Sequence, residues 1–342
     1  MNSKDRVLTA IQKQIPDRLP VFCGRIDDID YWLSGLGLDS EAELRTHWGL
    51  DIQKMSYSKA FRLPEGKTIW GAEDNWDAGY SSLKDFPLKN AETIADVEKH
   101  TWPDLSMVDF DEISAQLKGL DQNKARIGSI GFQAVFCTLC DLFGMDNTMI
   151  NMSAAPELID AAITHIEAFL TDCFGKILRN NAKDMDFLWW GDDFSTQRCM
   201  MISPEMWRRF LKPTYLRIFE LIKSHGVMIW FHSCGTFAPV LGELVDAGMD
   251  VWETVQAHLE GNEPEKLKVN YGNDLSFFGA INCQKTLPFG SPEDVRKEVR
   301  ERFRVLGKNG GYITGPDHSI QKNMPIANLE ALFDEAHKCN YG

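Results

Sequence analysis

Nowhere in these 342 residues do apolar side chains run for the roughly 18 positions that a membrane-crossing helix needs. No block of lysine and arginine stands out either. The 36 basic and 50 acidic residues leave a net charge of −14, which argues against nucleic acid or an anionic membrane as a partner. The eight cysteines are scattered among Met and Phe instead of being spaced as a disulfide framework. The opening, MNSKDRVLTAIQKQ, lacks the apolar core of a secretory signal. Low-complexity linkers and internal repeats are also missing. These absences together lead us to expect a soluble, cytoplasmic protein with mostly buried thiols.

What is present is an ordinary globular mixture, at 44% hydrophobic and 25% charged residues, which excludes wholesale disorder. The length suits two average domains or one large α/β barrel. Short apolar runs at 186–190, 227–231, 250–255, 275–281 and 312–314 read as strands, and helical patterns separate them. Ser203-Pro204-Glu205 and Ser291-Pro292-Glu293 have the residue types that start helices. The first of these helices should bend near Pro213 and stop at Gly226. Residues 19–23 and 125–130 read as a first and a third strand, while 51–103, rich in Trp, Gly and Pro, reads as an insertion of loops or a hairpin. The simplest architecture is a single α/β domain over residues 1–342, a (β/α)8 TIM barrel.

In such barrels the site lies at the carboxyl ends of the strands, and ligand-type residues gather there. Arg25 follows the first strand, Asp192 and Asp193 the fourth, His232 and Cys234 the fifth. Glu253 and Gln256 end the sixth, Asn282, Cys283 and Gln284 follow the seventh, and His318 the eighth. His232 and Cys234, two apart in an extended segment, share a face and can reach one metal ion. His318 is a candidate third ligand, with Glu253 and Cys283 as alternatives that spacing does not separate. Asp192 and Asp193, behind Trp189 and Trp190, offer a carboxylate for general acid work, or one of them caps a turn. Cys137 and Cys140 form a C-x-x-C, but inside an apolar helical run that reads as core.

SPEMWRRFLKP at 203–213, HSCGT at 232–236, LPFGSPE at 287–293 and GGYI at 310–313, with the opening DRVLTAIQKQIPDRLPV, resemble the uroporphyrinogen decarboxylase superfamily. The likeness spans almost the whole chain and implies its (β/α)8 barrel. The superfamily's true decarboxylases carry an Arg-Gln-Ala-Gly-Arg type motif after the first strand. Here a single Arg25 stands in FCGRI, so porphyrinogen decarboxylation is disfavoured.

The H-x-C element instead resembles the zinc site of the superfamily's corrinoid-dependent methyltransferases. In those that methylate coenzyme M the third ligand is a Cys, and that position falls here on or beside His318. Two imidazoles and one thiolate favour an oxygen ligand over a thiol. The resemblance thus implies a zinc enzyme moving a methyl group from a small methoxylated donor to the Co(I) corrinoid of a partner protein. Trp189 and Trp190 would line a slot for a methoxylated aromatic ring, with Arg25, Gln256, Asn282 and Gln284 as further substrate contacts. No Asp-x-His-x-x-Gly corrinoid-carrier element is present, so the corrinoid must come on a separate chain. Superfamily members also form homodimers. The alternatives are a methylcorrinoid:thiol methyltransferase, a decarboxylase, or a barrel that only binds a tetrapyrrole or corrinoid.

Overall fold

The computed structural model describes residues 1–56, 60–63, 66–77 and 80–341. Among these described residues nine strands lie in chain order: β1 Ile52–Lys54, β2 Glu73–Asp77, β3 Tyr80–Asp85, β4 Ala125–Ser129, β5 Phe187–Gly191, β6 Met228–His232, β7 Val251–Val255, β8 Ser276–Ile281 and β9 Tyr312–Pro316. β2 and β3 form an antiparallel hairpin. The other seven make one parallel sheet in the order β1-β4-β5-β6-β7-β8-β9. Helical crossovers between parallel neighbours make this a TIM-barrel-like α/β fold.

The expected first strand, 19–23, forms only an isolated bridge from Val21 to Thr314. Its backbone nevertheless touches both outer strands' surroundings. Phe22 N–H donates to Thr314 O at 3.0 Å, Thr314 N–H to Pro20 O at 2.9 Å, and Asp51 N–H to Val21 O at 2.9 Å. Pro20 has no N–H to extend the ladder, so this segment stays an extended connector. The eight-stranded sheet expected from sequence is therefore observed as seven strands plus this segment. Ile52–Lys54, which opens the stretch read as an insertion, belongs to the sheet, and the hairpin lies further along that stretch. Residues 57–59, 64–65 and 78–79 of it fall outside the described residues.

Strand alternation sorts side chains into two layers. Ile127, Phe187, Trp189, Trp230, Val251, Phe278 and Ile313 form an inner cluster with Phe22. Leu188, Trp190, Ile229, Phe231, Trp252 and Phe277 pack with the helical layer. His232 continues the inward row of Trp230, and Glu253 that of Val251, so the same periodicity that fills the interior delivers polar groups to its opening.

The helix starts are capped by the residues read from sequence. The Ser203 hydroxyl accepts from Met206 N–H, and Ser291 and Asp294 form a reciprocal capping box. The bend expected near Pro213 is a π-helical turn, Trp207–Leu211, inserted between Pro204–Met206 and Lys212–Ser224. Proline removes one i→i−4 donor, and the wider turn accommodates the loss. Cys137 and Cys140 sit on the helix Phe136–Phe143, where burial pushes both thiols up, Cys140 to about 12. They belong to no metal-type cluster among the described residues.

A candidate metal centre at the strand ends

His232 ends β6 and Cys234 follows in the next loop. Cys234 Sγ lies 3.5 Å from His232 Nε2. Asp193 Oδ1, from the loop after β5, is 3.8 Å from the same nitrogen. One donor atom from each of the three lies within 4.8 Å of the others. A tetrahedral zinc with ordinary bond lengths sets its ligand atoms roughly 3.3–3.6 Å apart, so this imidazole, thiol and carboxylate fit zinc with a small inward movement. Three protein donors leave a fourth position open.

The surroundings hold these groups in place. Asp193 Oδ1 accepts Cys234 N–H at 2.7 Å, and Ser195 Oγ donates to Cys234 O at 2.6 Å. At Gly191 an added Cβ would stand 2.6 Å from His232 O and 2.7 Å from His232 Cβ, so β5 and β6 meet this closely only because position 191 has no side chain. Gly235, at φ +84°, turns the loop back against the Thr196 carbonyl and gives its N–H to Gln256 Oε1 at 2.8 Å.

Glu253 stands behind the histidine. Its Oε1 is 3.2 Å from His232 Nδ1 and its Oε2 accepts the Trp230 indole N–H. Burial acts to raise the Glu253 carboxyl. The His232 contact, the Lys54 charge and the Trp230 indole overcome it and hold the group at about 2. Burial likewise pulls Lys54 down to about 8, with Glu253 opposing, and its ammonium rests 3.5 Å from the centre of the Trp189 ring. Burial works against a charged His232, yet Cys234, Glu253 and Asp193 keep it well above its ordinary value. The Cys234 thiol is pushed up by burial, with His232 opposing.

The two adjacent aspartates have different surroundings. Asp192 is fully buried and accepts the N–H groups of Val135 at 3.0 Å, Phe136 at 2.6 Å and Cys137 at 3.0 Å, together with the Tyr215 hydroxyl at 2.7 Å. It closes the amino end of the helix Phe136–Phe143 and has no acceptor capacity directed at a ligand. Asp193 is the one that meets His232 and Cys234. Trp189 lies 5.5 Å from the His232 ring and 6.1 Å from Phe132. Trp190 donates its indole N–H to Gln133 O at 2.6 Å and packs on Phe174, Tyr215 and Phe219. It does not reach the opening, because consecutive strand residues face opposite ways.

A cleft of about 290 Å³ adjoins the centre, lined by Cys234, Gln256, Cys283, Gln284, Asp317 and His318 among others. The His318 ring is 6.4 Å from that of His232 and its Nδ1 meets Ser319 Oγ at 3.0 Å, which leaves it across the cleft, outside the three-donor cluster. Cys283 points its thiol at His318 O, 3.4 Å away. Asn282 Oδ1 accepts Gln284 and Lys285 N–H, both at 2.8 Å, and so shapes the loop. Arg25 Nε donates to Asp27 Oδ1 at 2.7 Å.

Sequence reasoning gave no role to Lys54, read Glu253 as a ligand alternative, and took Asp193 as an acid. The first lies on a three-residue strand within a stretch that reads as an insertion, so no signal in the sequence marked it.

The chain belongs to the family described as uroporphyrinogen decarboxylase (URO-D), whose model matches residues 84–339. Within that family it is 24% identical over 274 residues to a methylated-thiol–coenzyme M methyltransferase of Methanosarcina mazei, covering 77% of this chain and 67% of the relative. It is 25% identical over 149 residues to a uroporphyrinogen decarboxylase of Carboxydothermus hydrogenoformans, covering 40% of this chain and 37% of that one. A solved structure described as a methyltransferase from Methanosarcina mazei superposes over 99% of both chains with a TM-score of 0.75 at 17% identity, a likeness of fold. Among the described residues no helix is long and apolar enough to cross a membrane.

Proposed function

We propose that this chain is a zinc-dependent methyltransferase that takes the methyl group of a small methoxylated compound, aromatic donors included, and that the acceptor is the Co(I) corrinoid of a separate carrier protein. The observation that supports the reading is the cluster of His232, Cys234 and Asp193 at the strand-end opening. One sulfur among nitrogen and oxygen donors favours an oxygen-bearing ligand at the open position. When bound there, zinc would supply Lewis-acid polarisation of the donor's ether oxygen.

The chain's own residues have the following parts. His232 presents Nε2 because Nδ1 is engaged by Glu253, which fixes tautomer and ring orientation. Cys234 supplies the sulfur and Asp193 one carboxylate oxygen. Asp193 thus acts as a ligand instead of a proton donor, and Asp192, fully used in capping, takes no part in the chemistry. Trp189 and Phe132 form an apolar wall beside His232 that excludes water and accepts a flat ring. Gln256, Gln284 and His318 border the cleft from the other side.

A thiol-directed reaction is the second reading, favoured by the relative named for methylated thiols. The two part in one experiment. Zinc-loaded protein is given Co(I) cobalamin with 2-methoxyphenol or with dimethyl sulfide, and methyl-Co(III) formation is followed by absorbance. We expect turnover with the ether. Turnover with the sulfide alone would replace the first reading by the second, and protein that takes up no zinc would overturn both.

A further inference from the structure

At the opposite end of the sheet a second cavity, of about 540 Å³, is lined by Lys13, Lys268, Lys308, Asn273 and Asn309, with Ile15, Val269 and Gly272 completing the wall. It lies below the first residues of β8 and β9, far along the strands from His232. Three lysines converge here on a chain of net charge −14, and no acidic residue lines the cavity. Elsewhere many cations on this surface meet carboxylates. Among the described residues none of these three makes an ion pair.

Lys13 gives its ammonium to the Ser276 hydroxyl, and Lys268 gives its own to Gly310 O at 2.6 Å, so both have neutral partners. Nearby acids offset the charge on Lys13 only in part, from outside the cavity lining. Asp250 is committed to Lys223 at 2.6 Å and to Ile229 N–H at 2.6 Å, which leaves Asp274 as the other acid whose charge Lys13 feels.

The backbone makes room for this crowding. A Cβ on Gly311, at φ +78°, would stand 3.2 Å from the Lys13 side chain and 3.4 Å from Lys268 Nζ. Burial lowers both ammonium groups to about 8, and Lys268 adds to the effect on Lys13. Positive charges held together in a partly desolvated recess whose lining has no acid are costly unless an anion joins them.

We propose that this recess is a binding site for a phosphate-bearing small molecule. Lys13, Lys268 and Lys308 provide the charge, and the Asn273 and Asn309 carboxamides provide further donors. Lysine is a point-charge donor suited to a tetrahedral oxyanion. The volume exceeds that of a bare phosphate and leaves space for an organic portion against Ile15 and Val269, which are 58% and 82% exposed.

The test uses the full chain and the probes inorganic phosphate and pyrophosphate, in low-chloride buffer, read by titration calorimetry and thermal unfolding. We expect saturable binding, tighter for pyrophosphate, with a rise in melting temperature. Lys268→Met should weaken binding at least about tenfold, and Lys308→Met less, because each removes a direct charge contact. Lys297→Met, the same charge change on a helix face 70% exposed, should leave binding intact. Lys268→Met also gives up the bond to Gly310 O, so its fold is checked by melting in anion-free buffer, and Lys308→Met, which has no such bond among the described residues, keeps the test independent of that contact. Absence of saturable binding to wild type would overturn the proposal, as would equal losses for Lys268→Met and Lys297→Met. None of these readouts depends on methyl transfer.

Discussion

β5 and the loop after it place identical residue types in opposite settings. Trp189 lies on the inward face of β5 and Trp190 on the outward one, and beyond the strand Asp193 turns to His232 and Cys234 while Asp192 turns to the helix Phe136–Phe143. Outward, every polar atom of Asp192 is spent on three backbone donors and a tyrosine hydroxyl, and Trp190 is locked among aromatic rings. Inward, Asp193 approaches an imidazole and a thiol, and the Trp189 indole N–H has no hydrogen-bond partner. The proposed chemistry falls on the side with unsatisfied capacity, and stability on the saturated side. Strand alternation thus separates the two tryptophans of WWGDD, and the hydrogen bonds of the following loop separate its two aspartates.

The hardest way to break this contrast is at Asp192. Asp192→Ala leaves three buried N–H groups and a phenol without an acceptor and should lower unfolding free energy by roughly 3 kcal/mol or more in urea titrations. Its folded fraction should still bind zinc. Zinc loss at unchanged stability would reverse the two roles. On the inward face, Cys234→Ala should weaken zinc binding by more than about 100-fold, the upper figure for losing a mere orienting partner, while stability in metal-free buffer changes by less than about 1 kcal/mol. Plasma mass spectrometry and urea titration on the same samples would check both parts.

Glu253→Gln probes the support behind His232. It should reduce zinc affinity by about 10–100-fold, through loss of the orienting contact and of the charge facing Lys54. Competition with a chelator of known affinity measures this. The smallest effect is expected at His318. His318→Ala should keep its zinc and alter only donor affinity, because its ring stands across the cleft. A metal-free His318→Ala protein would bring that imidazole into the coordination shell in place of Asp193.

Much of this arrangement was legible in the chain. The short apolar runs marked the strands from 125 onward to within a residue or two, because burial on both faces leaves little else for them to be. His232 and Cys234 stood out because two-residue spacing at a strand end is a local property. Other features were not local. Ile52–Lys54 is only three residues long and is held by its neighbours' ladders, so no periodicity announces it. The meeting of Asp193 with Cys234, and of Glu253 with Lys54, joins different strands, and no spacing in the chain encodes it. Trp190 looked like a slot wall until the parity of β5 was anchored by His232 opposite Gly191.

The π turn at Trp207–Leu211 holds one more residue than an α-helical turn would need. Deleting a residue beyond it, within 212–214, where the helix has no surplus to give up, would rotate everything after the deletion by about 100°. Tyr215 would swing off Asp192, and the helix beginning at Phe136 would lose part of its anchor. The π turn is thus the place where the chain absorbs one residue without turning Tyr215 off Asp192, so losing one residue within 207–211 should disturb the candidate metal centre less than losing one within 212–214.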